Sequence, residues 1–164
     1  MTYYIMNEIH GMINIVWCTM SKEDDTMTEL TIPAAVENLE QVLAFVDGQL
    51  ADCPPDVLLQ IDIAVEEIYV NIAHYAYPSG RGEATVRCAV SKTSPPEATI
   101  ELVDGGIPYD PLSRKDPDIT LDAEERQIGG LGIFMVKDMM DQVTYRREGG
   151  KNILTMKKIL LAGG

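Results

Sequence analysis

VLLQIDIAVEEIYVNIAH, residues 57–74, is the stretch from which the fold follows. Leu58, Ile61, Val65, Ile68 and Ile72 recur three or four positions apart, the period of a helix with one buried face. Pro54-Pro55 stops whatever precedes it, Asp56 is placed to cap it, and Pro78-Ser79-Gly80 ends it. Upstream, Val36, Leu39, Val42, Leu43, Val46 and Leu50 give a second helix, and Glu29 to Ile32, closed by Pro33, gives a short strand. Downstream the period changes to two. Ala84, Val86, Cys88 and Val90 alternate with polar residues, and Ala98 to Val103 alternates again after the turn Ser94-Pro95-Pro96.

The rest of the chain keeps strands and helices in blocks. Asp104-Gly105-Gly106-Ile107-Pro108 breaks the second of those strands. Leu112 to Gln127 is polar, carries Pro111 before it and Pro117 within it, and has no period, which predicts a mobile loop or lid. A helix is expected from Gly129 to about Met140. Two strands, Val143 to Arg147 and Asn152 to Ile159, flank Gly149-Gly150 as a hairpin. Strands that follow one another pair readily, so the expected architecture is α+β: a two-layer sandwich with a mixed, largely antiparallel sheet and helices on one face. The order is not the alternating βαβ of a doubly wound nucleotide fold.

Composition narrows the function. The 164 residues suffice for one domain with its own core. A net charge of −13 repels nucleic-acid backbone, so no direct nucleic-acid partner is expected. The same charge obliges any nucleotide site to supply its own positive field. Cys18, Cys53 and Cys88 form no C-x-x-C pair and only two histidines exist, which disfavours zinc; unpaired thiols fit a reducing, cytoplasmic setting. Met12 to Met20, the longest apolar run near the start, is too short for a membrane span, and no membrane partner is expected. Residues 1–26 differ in character from 27–164: methionines and aromatics without a clear period, then Glu23-Asp24-Asp25. They are either a dispensable extension or a strand that pairs with a neighbouring subunit. The domain proper is expected at 27–164.

Four segments carry candidate chemistry. Glu67 and Asn71 are one helical turn apart, on one face. A carboxylate there suits a general base and an amide oxygen suits Mg²⁺, though two solvated polar positions have the same spacing. Asp104, at a strand end, can accept from an exocyclic amine such as that of adenine, with Gly106 letting a flat ring approach; a plain turn uses the same residues. Gly129-Gly130-Leu131-Gly132 exposes consecutive N–H groups at a helix start, an anion cradle or else a hinge, and it matches neither G-x-G-x-x-G nor a Walker loop. Arg126 precedes it and is a candidate contact for a terminal phosphate. Thr155, in the last strand, can reach a base or face solvent. His74, beside Tyr75 and Tyr77, reads as packing or capping.

Together EEIYVN (66–71), VDGGIPYDP (103–111), GGLGIFMVK (129–137) and NILTMK (152–157) resemble, in order and spacing, the Bergerat ATP-binding domain of gyrases, chaperones and histidine kinases. They are most similar to its branch of anti-sigma-factor serine/threonine kinases, over about Thr28 to Leu160. The resemblance implies ATP and Mg²⁺ as cofactors. It implies Glu67 as general base, Asn71 as Mg²⁺ ligand, Asp104 with Gly106 at adenine, Gly130, Leu131 and Gly132 at the phosphates, and Thr155 as second adenine contact. It further implies a sigma factor and a small anti-anti-sigma protein as partners, the latter phosphorylated on serine, and a homodimer. A histidine stands four residues after the Asn in many relatives, whereas here Tyr75 does. A non-catalytic ATP-binding switch and a hydrolytic ATPase are the other functions compatible with these residues.

Overall fold

The computed structural model describes residues 2–9, 12–19, 27–113 and 131–161. Seven strands form one sheet: β1 (Thr2–Ile9), β2 (Met12–Thr19), β3 (Met27–Pro33), β4 (Glu83–Val90), β5 (Glu97–Asp104), β6 (Gln142–Glu148) and β7 (Lys151–Ile159). Their spatial order is β1-β2-β3-β4-β5-β7-β6. Each of the six pairings is antiparallel, so the largely antiparallel sheet expected from the strand blocks is wholly so among the described residues. Among the described residues, the three α-helices are α1 (Leu39–Gln49), α2 (Pro55–Asn71) and α3 (Leu131–Met139).

Alternation decides which sheet face is covered. Leu30 and Ile32 of β3, Val86 and Cys88 of β4, Ile100 and Leu102 of β5, and Leu154 and Met156 of β7 all point to the helices, and all are buried. All but Leu30 cluster with Val42 and Val46 of α1, Ile61, Val65 and Ile68 of α2, and Val136 of α3. Burial pushes the Cys88 thiol up to about 12, so it behaves as a core hydrophobe. The stripe on α2 is broader than the apolar spacing alone indicates: Val57, Ala64 and Tyr69 are buried with it, and the Tyr69 hydroxyl donates to the carbonyls of Pro33 and Ala35. Asp56 is not the cap. Pro54 stands at that position without a side-chain bond and Pro55 opens the helix, leaving Asp56 in the first turn, where its charge suits the helix dipole.

Among the described residues, the other face carries no helix. Across it Glu29, Arg87, Glu101 and Arg146 alternate in sign over β3, β4, β5 and β6, with Arg87 bridging Glu29 and Glu101 and Arg146 closing on Glu101. Burial pushes the Glu101 carboxyl up, but hydrogen bonds from Arg146, Thr155 and Arg87 and the Arg146 charge outweigh it and hold the group below the usual range.

Of residues 1–26, the described part is a hairpin. β1 and β2 pair along their full length, and β2 joins the sheet through Trp17, Cys18 and Thr19 opposite Glu29, Thr28 and Met27. The strand thus pairs with its own sheet. No helix among the described residues is long and apolar enough to cross a membrane.

Candidate functional site

α2 ends at Asn71 and continues as one wider π-type turn, Ile72–Ala76, before the chain leaves for β4. Such turns interrupt helices often at functional sites. This one sets Tyr75 and Ala76 beside the end of β5, where the Ile107 N–H donates to the Ala76 carbonyl at 2.9 Å. Between α2, the β5 end, β7 and α3 lies a cavity of about 530 Å³, a size that suits a small-molecule ligand. Glu67, Asn71, Asp104, Leu131 and Gly132 all line it, so three segments far apart in sequence share one space.

At one end sits the Glu67–Asn71 pair. The Asn71 amide nitrogen donates to the Glu67 carbonyl at 2.7 Å and to its Oε1 at 2.8 Å. That spends the Asn71 donors and leaves its Oδ1 without a partner among the described residues. A single hard oxygen beside a carboxylate fits Mg²⁺, an ion that takes one or two protein ligands and completes its shell with phosphates and water. Gly132, one residue into α3, packs directly on the Glu67 carboxyl: a Cβ there would overlap it. Glycine at this position therefore lets the helix start approach the carboxylate.

At the other end is Asp104, buried at the last position of β5. Its Oδ1 accepts from the Gly106 N–H at 2.8 Å and from the Asn152 amide at 2.9 Å. Its Oδ2 has no partner among the described residues. Among those residues the only polar side-chain atoms both sealed from solvent and unpaired are Asp47 Oδ1 and Asp62 Oδ1, so Asp104 Oδ2 keeps access to open space. Gly106 is needed for a different neighbour from the one expected: a Cβ on it would overlap the Ala76 carbonyl, and the residue does not line the cavity.

Thr155 is a correction. It lies opposite Glu101 and Thr144, on the helix-free face, where its hydroxyl donates to Glu101 at 3.1 Å and accepts from Arg146 at 3.1 Å. It cannot reach the cavity through the sheet. The β7 residue that does is Asn152, three positions earlier and on the opposite face. Arg126 and Gly130, with Gly129 and all but the first residues of the expected lid, lie outside the described residues. His74 is exposed and meets Tyr75 edge to face, with ring centroids 5.7 Å apart, in keeping with packing.

The lining also includes Tyr75 and, not singled out from the sequence, Asn152, Tyr109, Tyr145 and Lys137. The tyrosines offer flat apolar walls with polar rims, and Lys137 brings positive charge to a strongly acidic chain. A second, smaller groove on the outer side of α2 and α3 shares Glu67 and Gly132 with the cavity.

Comparison with known proteins agrees with this fold. Residues 32–158 match the family model described as the histidine kinase-like ATPase domain. The chain is similar to the serine/threonine-protein kinase BtrW of Bordetella bronchiseptica, 26% identical over 96 residues, which are 58% of this chain and 66% of that protein. It is similar to the serine-protein kinase RsbW of Listeria monocytogenes, 28% identical over 109 residues, 63% of this chain and 68% of that protein. With the RsbW of Staphylococcus aureus it shares 27% identity over 145 residues, 85% of this chain and 89% of that one. The matched stretch thus spans about two thirds of the first two relatives.

Proposed function

The chain belongs to the histidine kinase-like ATPase domain family, and from that premise we propose that it is an ATP-dependent serine/threonine protein kinase of the anti-sigma type. Its nucleotide-binding unit is residues 27–164. Its substrate is a serine on a small anti-anti-sigma protein, and its second partner is a sigma factor. The observation that carries this reading is the convergence of Glu67, Asn71, Asp104 and Gly132 on one cavity. The names of the similar proteins, serine or serine/threonine kinases, support it.

Adenine occupies the β5–β7 end, with its exocyclic amine on Asp104 Oδ2 and a tyrosine wall beside the ring. The triphosphate runs towards α3, whose first N–H groups and dipole favour negative charge. Asn71 Oδ1 would hold Mg²⁺, which would supply charge neutralisation for the triphosphate. Glu67 accepts the proton of the incoming serine hydroxyl. The new bond forms between that oxygen and the γ-phosphorus as the bond from γ-phosphorus to the β,γ-bridging oxygen breaks, and ADP leaves. Asn71 orients Glu67 through its hydrogen bond to Oε1.

The test is transfer of labelled γ-phosphate to candidate partner proteins. Wild type labels a serine; Glu67→Gln binds ATP with affinity within about threefold of wild type and loses at least about a hundredfold in transfer, the usual scale for a general base. Undiminished transfer in Glu67→Gln refutes the base assignment. Tight ATP binding by wild type with no labelled serine on any partner points instead to a nucleotide-gated binding switch.

A further inference from the structure

Asn152 is the most heavily bonded side chain in the site. Its two amide protons are spent, one on Asp104 Oδ1 and one on the Ile107 carbonyl, both at 2.9 Å. Its oxygen accepts from the Tyr145 hydroxyl at 2.9 Å and from Arg147 Nη1 at 2.6 Å, with the Tyr109 N–H further off at 3.4 Å. Asn152 therefore has no donor left for a ligand. Its oxygen end is fixed by a cation, because turning the amide over would set its NH₂ against the guanidinium. The same Arg147 nitrogen lies 3.5 Å from the Gly106 carbonyl, and the Gly106 N–H is the other donor on Asp104 Oδ1.

We propose that Arg147 and Asn152 form a positioning relay that locks the Asp104 carboxylate and thereby sets the purine preference of the nucleotide site. The proposal rests on the adenine-end reading given above. Two donors hold Oδ1, so one oxygen, Oδ2, is presented to the base. A single fixed acceptor pairs with the 6-amino group of adenine and repels the 6-oxo group of guanine or hypoxanthine. A carboxylate free to turn can offer both oxygens, and two acceptors side by side suit the N1–H and 2-amino group of guanine. The lock thus acts against guanine as well as for adenine, and discrimination of this kind needs a penalty on the wrong partner. Arg147 reaches across from β6 and Asn152 stands on β7, so neighbouring strands brace a residue on a third, β5. Neither Arg147 nor the Tyr145 hydroxyl needs to touch the nucleotide.

The test is competition of ATP and GTP against a fluorescent ATP analogue, bound to the full chain, in wild type, Arg147→Ala, Arg147→Lys, Asn152→Leu and Asp104→Asn. The readout is the ratio of the two dissociation constants, which general loosening of the fold does not tilt towards guanine. The expected result is a fall of about tenfold in the preference for ATP in Arg147→Ala and Asn152→Leu, the scale of one lost charge-assisted hydrogen bond, and recovery of most of it in Arg147→Lys. Arg147 is exposed, so Arg147→Ala keeps the fold even if Asn152→Leu does not. An unchanged ratio in Arg147→Ala, with preference abolished in Asp104→Asn, overturns the relay and leaves the adenine-end reading standing. An unchanged ratio in Asp104→Asn overturns both.

Discussion

Replacing Asp62 by asparagine should stabilise the protein above pH 6. Asp62 on α2 faces Asp47 on α1, with Cys53 and Asp56 close by, and one oxygen of each of the two aspartates is sealed from solvent without a partner. Burial, then the Asp47 charge, then the hydrogen bond the pair makes when it shares a proton, push Asp62 from 3.8 up to about 6. A group raised in the folded state favours folding when protonated. Its contribution is full below about pH 4 and is lost as pH rises through about 6. A rise of that size is worth at most ~3 kcal/mol. Both side chains are only half buried, so solvent screening reduces this to about 1 kcal/mol. Asparagine keeps a donor for Asp47 without the second charge. Thermal unfolding from pH 5 to pH 8 should therefore show wild type losing about 3 °C relative to Asp62→Asn, the change in Tm expected of a chain this size. Parallel curves for the two proteins across that range would refute the shared-proton pair.

Two further substitutions separate the two ends and faces of the site. Asn71→Ala removes the amide oxygen and the donor to Glu67, and should weaken Mg²⁺-ATP binding by about tenfold or more while leaving Mg²⁺-free ATP binding within about threefold, by calorimetry with and without the ion. Equal losses in both conditions would remove the metal assignment. Thr155→Ala lies behind the sheet and should leave nucleotide affinity unchanged within about twofold; the same titration showing a large loss would reinstate Thr155 at the base.

From Met27 onward, element order and the pairing of consecutive strands are legible because they depend on local signals: helical spacing in 57–74, alternation in 84–90 and 98–103, and Gly149-Gly150 between two strands; β1 and β2 are not, since residues 1–26 show no clear period. The true place of Thr155 is legible too. Leu154 and Met156 are the apolar phase of β7, so Asn152 shares their face and Thr155 the opposite one; the period of two outweighs motif resemblance here. Gly106 differs for another reason. The neighbour that excludes its Cβ, Ala76, belongs to a π-type turn that no sequence pattern announces. The tyrosine walls and Lys137 are illegible for a third: each looks like an ordinary strand, loop or helix residue until the fold gathers the π-type turn, the chain after β5, α3 and β6 around one cavity.

The bond from Asn152 to Asp104 joins positions 48 residues apart. It cannot form until the chain between them, including α3 and the β6–β7 hairpin, has returned to the centre of the sheet. Closures of that span come late in folding, since the loop's entropy is lost before the contact repays it. A nucleotide that needs this corner finds nothing to hold in the collapsing chain. It should leave the rate of refolding nearly untouched and act by slowing escape from the finished state, so that in the cell ATP would govern how long the molecule lasts more than how fast it is made.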